Sequence, residues 1–170
     1  ADPTFLVRRA GTVSPKPDDL TKDAVGVAYR PMFGAGDPDA RHLKSVARYG
    51  ELTVDPGGAS AQVSYGAEEQ LYFILSGTGT VACDGENVVV RANDFLYLPP
   101  GSRHGVSNSG AEPLRLLVMG FRIPRAAKVR PATRMMKANT ADVPMQELAS
   151  HGPTTKFQLL IGTKIGRAHV

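Results

Sequence analysis

A regular succession of short β-type segments is the feature of this sequence that most constrains its fold. The segments are rich in Val, Leu, Ile, Tyr and Phe, and they recur throughout residues 25–121. Turn-forming residues separate them, for example Asp55-Pro56-Gly57-Gly58, Asp84-Gly85 and Pro99-Pro100-Gly101. Short strands at such spacing are typical of an all-β sandwich or a closed barrel. The predicted strands are Val25–Tyr29, Ser45–Val54, Ala59–Tyr65, Gln70–Leu75, Gly79–Cys83, Asn87–Arg91, Phe95–Leu98, His104–Ser107 and Leu114–Phe121.

Composition supports this interpretation and excludes several classes of protein. The 170 residues include 18 Gly and 13 Pro, which favours many short elements over a few long helices. No apolar run approaches the length needed to cross a bilayer, and the single cysteine, Cys83, excludes a multi-thiolate zinc site. The net charge of +4 is too small to indicate nucleic acid. We expect a soluble, cytoplasmic protein with neither a nucleic acid nor a membrane as partner.

The chain divides into a central barrel and two flanking segments. Residues 1–23 are polar and Pro-rich and predict an extended arm, and residues 24–121 form the predicted barrel. Residues 122–155 are interpreted as a linker. Their basic residues are not interleaved with the aromatic side chains that would stack on nucleic-acid bases.

Two spaced patterns inside the barrel region carry a resemblance to a known family. In the first, Gly58 is followed after five residues by Ser64-Tyr65-Gly66, then by Gln70, and after six more residues by Gly77. In the second, Asn93 is followed after five residues by Pro99-Pro100-Gly101, and then by His104 and Asn108. Together the patterns resemble the paired motifs of the cupin superfamily over residues 45–121. The resemblance implies an antiparallel jelly-roll β-barrel.

The resemblance also implies a metal site whose ligands are largely replaced in this chain. In cupins the first motif supplies His-x-His and a Glu, and the second supplies a third His, which together hold a divalent transition metal such as Fe, Mn, Ni or Zn. Here the corresponding positions hold Ser64, Gly66 and Gln70, and His104 alone is retained. We therefore expect a degenerate metal site; if any metal binds, His104 and Gln70 are the residues that would hold it.

The register of the strands predicts which side chains share the barrel interior. Residues two apart on a strand face the same side, so Ser64, Gly66, Gln70 and Tyr72 should point inward toward His104. Glu69 is one residue out of this register and should point outward.

Each candidate site residue has a functional and a structural interpretation. His104 is the candidate catalytic residue, either as a general acid or base or as a polar ligand contact. Alternatively it is a structural histidine that hydrogen-bonds Tyr72, Gln70 or water. Tyr72 either orients a ligand or is simply core. Ser64 and Gln70 complete the candidate ligand-binding set together with Arg103, which is expected at the barrel mouth, where it could hold a carboxylate.

These observations leave two alternative functions, which belong to different classes of protein. In the first, the barrel binds a small molecule or is structural, and pairs with another cupin domain; residues 156–164, which include the strand-like run Lys156–Gly162, would begin a truncated second domain. Residues 165–170 resemble a translated sequencing adapter and are expected to be a non-native tail. In the second, the barrel is a metal-dependent dioxygenase, isomerase or decarboxylase acting on a small polar or aromatic substrate. A homodimer is also expected, since an extended arm commonly adds to a partner's sheet edge.

Overall fold

Antiparallel strands dominate the part of the chain that the computed structural model describes, which comprises residues 6–40, 43–126, 131–147 and 155–161. In chain order the strands are β1 (Val25–Gly34), β2 (Val46–Ala59), β3 (Glu68–Ser76), β4 (Thr78–Cys83), β5 (Glu86–Arg91), β6 (Asp94–Leu98), β7 (His104–Ser107), β8 (Leu114–Arg122), β9 (Met136–Asn139), β10 (Gln146–Glu147) and β11 (Lys156–Phe157). Among these residues no helix is long and apolar enough to cross a membrane.

Nine of these strands form one curled sheet. The order of neighbouring strands is β5-β4-β7-β2-β8-β3-β6-β9, and β1 pairs with β2 outside this path. All pairings are antiparallel. This is an antiparallel jelly-roll barrel, and the fold class predicted from the sequence is confirmed. Strands β10 and β11 form a separate two-stranded ribbon.

The connection between β4 and β5 shows how local sequence determines part of this topology. Asp84 and Gly85 both have positive φ, +50° and +87°. Two such residues make the tight turn whose twist matches that of the flanking strands. The hairpin predicted at Cys83-Asp84-Gly85-Glu86 is therefore confirmed, with Cys83 paired to Glu86.

The strand boundaries predicted for residues 55–65, upstream of this hairpin, are wrong. A turn was expected at Asp55–Gly58, followed by a strand over Ala59–Tyr65, but β2 continues to Ala59 and residues 60–67 are mostly irregular. Gly57, at φ +76°, lets the strand bend without ending. Its N–H donates to the Asn108 carbonyl at 2.8 Å, so cross-strand bonding continues through the bend.

The register of β2, β8 and β3 stacks the interior side chains in layers. Gly120 on β8 lies opposite Arg48 on one side and Gln70 on the other. Further along the same strands, Leu116 lies opposite Leu52 and Ile74. The layers near Leu116 are wholly apolar, whereas the layers near Gly120 carry polar and charged groups. We call these the apolar half and the polar half of the barrel interior.

The segment preceding β1 packs against the barrel and covers the polar half. A short 3-10 turn, Asp19–Thr21, is capped by Asp18, whose carboxylate accepts from the Leu20 N–H at 3.0 Å. Leu20 is fully buried in the core, and its carbonyl accepts from the Ala61 N–H at 2.9 Å. This part of the predicted arm is thus integrated into the barrel of its own chain.

The segment after β8 contains a strand that the sequence patterns did not indicate. Strand β9 pairs with β6 inside the region interpreted as a linker, and the neighbouring Met135 packs on the core. In the predicted strand Lys156–Gly162, only Lys156–Phe157 is strand, and Gly162 and the predicted tail at 165–170 lie outside the described residues.

Candidate functional site

His104 opens strand β7 and projects into the polar half, where it is 1% exposed. Its Nδ1 lies 3.0 Å from the Ser102 carbonyl oxygen. Because a carbonyl oxygen only accepts, Nδ1 carries the hydrogen and donates it, which leaves Nε2 as an acceptor. Burial lowers the pKa of His104 below its usual value, so the ring is neutral at neutral pH. Nε2 is buried and has no hydrogen-bond partner among the described residues.

Gln70 places a second free acceptor in the same half. Its Nε2 donates to the Glu68 carboxylate at 2.8 Å. A carboxylate accepts only, so the amide nitrogen must face Glu68 and the orientation of the amide is determined. Oε1 is consequently directed elsewhere in the interior, where it is buried and has no partner in the described part of the chain.

Two tyrosines contribute buried hydroxyl groups. Tyr72 follows Gln70 by two residues on the same face of β3, and its ring packs edge-on against His104 with centroids 5.7 Å apart. Tyr29 comes from β1. Neither hydroxyl has a hydrogen-bond partner among residues 6–40, 43–126, 131–147 and 155–161. Burial raises the pKa of both phenols above the usual value, so both remain hydroxyls that can donate.

Arg48 lies between these groups and the solvent. Its Nε is 3.2 Å from the Glu68 carboxylate and its Nη1 is 3.4 Å from that of Asp18. Its guanidinium carbon lies 3.9 Å from the centre of the Tyr65 ring. A cation over an aromatic face is attracted to it, and the two carboxylates add direct pairing. The Arg48 side chain is 7% exposed, so this network is largely removed from water.

Two glycines provide the space that these side chains occupy. A Cβ at Gly120 would lie 2.6 Å from Gln70 Nε2, 2.7 Å from Arg48 Cγ and 2.8 Å from Glu68 Oε2. A Cβ at Gly50 would lie 2.5 Å from the Tyr29 hydroxyl. Such distances are far below van der Waals contact, so these positions accommodate only glycine without rearrangement. We call the residues around them the polar cluster: Tyr29, Arg48, Glu68, Gln70, Tyr72 and His104.

The structure brings together three of the five predicted site residues. Gln70, Tyr72 and His104 meet in the polar cluster. Ser64 is exposed and donates from its hydroxyl to the Gly101 carbonyl at 2.7 Å. Arg103 is exposed, and its backbone N–H donates to the Asp84 carboxylate at 2.8 Å.

The inward placement predicted for Ser64 and Gly66 is therefore wrong. Residues 60–67 are not a regular strand, so strand alternation does not apply to them. Val63, bridged to His104, is the buried residue there, and the neighbouring Tyr65 ring lies 6.0 Å from the His104 ring.

Sequence reasoning missed three members of the cluster, Tyr29, Arg48 and Glu68. Arg48 is in phase with the buried residues Gly50 and Leu52, and Glu68 is in phase with Gln70. A charged residue in the inward register was the available signal. Glu69, in contrast, faces away as expected, where its carboxylate accepts from the Tyr97 hydroxyl at 2.9 Å.

The polar cluster does not have the donor set of a divalent transition-metal site. It offers one neutral imidazole, one amide oxygen and two phenols, while Glu68 already pairs with Arg48. Fe, Mn, Ni and Zn sites in proteins combine several imidazole, thiolate or carboxylate ligands. Within the described residues no group of three or more His, Cys, Asp or Glu side chains could hold a metal ion. The residues present therefore do not fit such a metal.

Comparison with known proteins identifies the family. A family model described as a cupin domain matches residues 50–120. These residues form a cupin domain. The match spans β3 to β7 and most of β2 and β8, and so contains every member of the polar cluster except Tyr29 and Arg48.

The chain is also similar to parts of other known proteins, and it spans less than a fifth of the length of the guanylyltransferase relative that it matches. Over 90 residues, the chain is 33% identical to mannose-1-phosphate guanylyltransferase of Escherichia coli K12, a stretch that is 52% of this chain and 18% of that protein. It is 25% identical over 93 residues to the oxalate-binding protein of Thermotoga maritima, covering 51% of this chain and 77% of that one. A solved structure described as a predicted oxalate decarboxylase of T. maritima superposes with a TM-score of 0.60 at 22% identity, over 69% of this chain and 100% of that chain. The superposition shows a shared fold.

Proposed function

We propose that the cupin barrel of this chain binds a small polar molecule in its polar half, without a transition metal. The observation that carries the proposal is a set of four buried polar atoms that have no hydrogen-bond partner in the described part of the chain: Tyr29 Oη, Gln70 Oε1, Tyr72 Oη and His104 Nε2. Leaving one such group unsatisfied costs about 1–3 kcal/mol. A barrel that was purely structural would gain stability by replacing these groups with apolar ones.

Two of these groups sit next to each other on one strand, and a third packs on them. Gln70 and Tyr72 share the inward face of β3, and the imidazole of His104 contacts the Tyr72 ring. A ligand that binds Tyr72 Oη would lie on the face of β3 that also carries Gln70, at the side chain that packs against the His104 ring. His104 serves in this proposal as a neutral acceptor that orients the ligand.

The covering segment provides the route by which a ligand enters. A surface cleft of ≈ 470 Å³ reaches Asp18 and Arg48 from the solvent. Arg48 is the member of the polar cluster that lines this cleft. Displacement of residues 18–21 would connect the cleft with the rest of the cluster; it would break the Asp18–Arg48 ion pair and the hydrogen bond from the Ala61 N–H to the Leu20 carbonyl, and it would expose Leu20.

Nitrogen-15 NMR of the His104 imidazole tests the proposal. Protein treated with a metal chelator is titrated with glycerol, erythritol and oxalate, and the His104 signals are assigned by their absence in His104→Gln. We expect at least one probe to shift these signals saturably without metal. No shift with any probe, or a shift that requires added Mn, Fe, Ni or Zn, would contradict the proposal; the second result would support the metal-dependent enzyme instead.

The proposal extends to pairing of the barrel with a second copy or a second cupin domain. The sheet ends at β5, an edge strand on which Val89 is 70% exposed. An edge with an exposed apolar side chain is suited to pairing with another chain. Light scattering at tens of micromolar should show a dimer, and a strictly monomeric species would refute this part.

A further inference from the structure

The charges around the polar cluster indicate which ligands it selects. Resting on the binding function proposed above, we infer that the site takes a neutral polyhydroxyl compound and excludes carboxylates. The inference concerns the chemical class of the ligand, and it departs from the anion named for the oxalate-binding relative.

The hydrogen-bonding capacities of the cluster require a ligand that both donates and accepts. Gln70 Oε1 is an acceptor because it is the amide oxygen, the amide nitrogen being the group that donates to Glu68. His104 Nε2 is an acceptor because Nδ1 carries the hydrogen and donates it to the Ser102 carbonyl. The hydroxyls of Tyr29 and Tyr72 are free to donate. A hydroxyl group can satisfy both kinds of partner, whereas a carboxylate accepts only and would leave both acceptors unpaired.

Arg48, the cation of the polar cluster, is already neutralised. Arg48 contacts Glu68 through Nε and Asp18 through Nη1, and one face of its guanidinium lies on Tyr65. A third carboxylate, the exposed Asp19, lies 3.9 Å from Nη2. Glu68 alone balances the charge of Arg48, and Asp18 adds a second negative charge.

An incoming carboxylate would therefore meet repulsion rather than a free guanidinium. To reach Arg48 it would have to displace Glu68, which would also remove the partner of the Gln70 amide nitrogen. A buried charge that loses its partner is strongly unfavourable. A polyol disturbs none of these pairs.

The NMR titration of the wild-type protein with glycerol, erythritol and oxalate tests separately whether the barrel binds a ligand and whether that ligand is a neutral polyol. We expect glycerol or erythritol to shift the His104 signals saturably and oxalate to have no effect. If oxalate binds as tightly as the polyols or more tightly, the inference about ligand class is overturned while the binding function stands. If none of the three compounds binds, the binding function and the inference about ligand class are both overturned.

The variant Glu68→Gln tests the cause of the selectivity. The amide oxygen can still accept from Arg48 and Gln70, but one negative charge beside Arg48 is removed, so the guanidinium is less fully neutralised and attracts an incoming carboxylate more strongly. Oxalate affinity should rise at least about tenfold, the factor expected from one new charge-assisted hydrogen bond. Glu69→Gln is the matched control, since the adjacent carboxylate faces away toward Tyr97, and it should leave oxalate binding unchanged.

An unchanged oxalate affinity in folded Glu68→Gln, or an equal rise in Glu69→Gln, would overturn the assigned role of Glu68. Circular dichroism establishes that each variant is folded. Should Glu68→Gln fail to fold, Asp18→Asn removes the other buried carboxylate on Arg48 and carries the same expectation. The wild-type comparison of polyols with oxalate decides the ligand class in either case.

Discussion

The two halves of the barrel interior are built by the same strands but from opposite kinds of side chain. Strand β3 contributes Gln70 and Tyr72 to the polar half and Ile74 to the apolar half. Strand β8 contributes Gly120 to the first and Leu116 to the second. Ile74 and Leu116 are fully buried and apolar, whereas Gln70 and Tyr72 are equally buried and leave polar atoms unpaired.

This contrast indicates that the two halves of one sheet contribute differently to the stability of the fold. Burial of apolar surface stabilises the fold by about 25 cal/mol per Å², so the apolar half contributes most of the stability. Unpaired buried polar atoms cost stability. The polar half therefore depends on the apolar half for its stability, and the proposed ligand binding would account for its retention.

The largest effect is expected from Leu116→Ala in the apolar half. Leu116 is fully buried between Leu52 and Ile74, so its truncation removes apolar contacts and leaves a cavity. The free energy of unfolding, measured by urea denaturation, should fall by about 2–5 kcal/mol. Leu117→Ala, on the opposite and partly exposed face of β8, is the control and should cost clearly less. Equal losses would show that the apolar half does not dominate stability.

Gly120→Ala should have the next largest effect, this time in the polar half. The new methyl group would collide with Gln70, Arg48 and Glu68, all at less than 3 Å. We expect a loss of about 1–3 kcal/mol in the free energy of unfolding, together with a change in the His104 NMR signals. Gly66→Ala is the matched control, because a Cβ there meets nothing within 4 Å. A well-tolerated Gly120→Ala would mean that the cluster is loosely packed.

The fold could be predicted from the sequence where local chemistry determines it. The hairpin at Asp84-Gly85 follows from two residues that tolerate positive φ. The continuation of β2 through Gly57 could not be predicted, because it depends on a hydrogen bond to Asn108, far away in sequence. Strand β9 was missed for the same reason, since its pairing with β6 is non-local.

The pH dependence of stability should distinguish the polar half from the apolar half, because the polar half contains His104. Burial lowers its pKa in the folded protein below the usual 6.5, so the unfolded chain binds a proton first as pH falls. The stability conferred by the neutral ring is present above 6.5 and is lost as pH falls through 6.5 toward the folded-state pKa. Wild type should therefore lose more free energy of unfolding than His104→Gln between about pH 8 and about pH 5.5.

The comparison with His104→Gln isolates this one group. The buried carboxylate of Asp18 has its pKa raised, mainly by burial, and gives a slope of opposite sign in both proteins, so it cancels. Parallel pH profiles would show that His104 titrates normally and is not confined in a dry site. The apolar-half variant Leu116→Ala should keep the wild-type slope.

The candidate site was predictable only where the strands are regular. Gln70 and Tyr72 lie on β3, and alternation placed them inward correctly. Ser64 was misplaced because residues 60–67 do not follow strand alternation. Arg48 and Glu68 stand in the inward register, but a charged residue in a strand normally indicates an exposed face, and the pairing that permits their burial is visible only in three dimensions.

The most direct test of the account is the stability of Tyr72→Phe against Tyr97→Phe. The Tyr72 hydroxyl is buried and has no hydrogen-bond partner among the residues that the structure describes, whereas the Tyr97 hydroxyl can donate to Glu69 at 2.9 Å or to the Ala132 carbonyl at 3.1 Å. We predict that Tyr72→Phe raises the free energy of unfolding by about 1 kcal/mol while Tyr97→Phe lowers it by a similar amount. A loss of stability in Tyr72→Phe equal to that in Tyr97→Phe would contradict the claim that the polar half is kept for binding at a cost in stability.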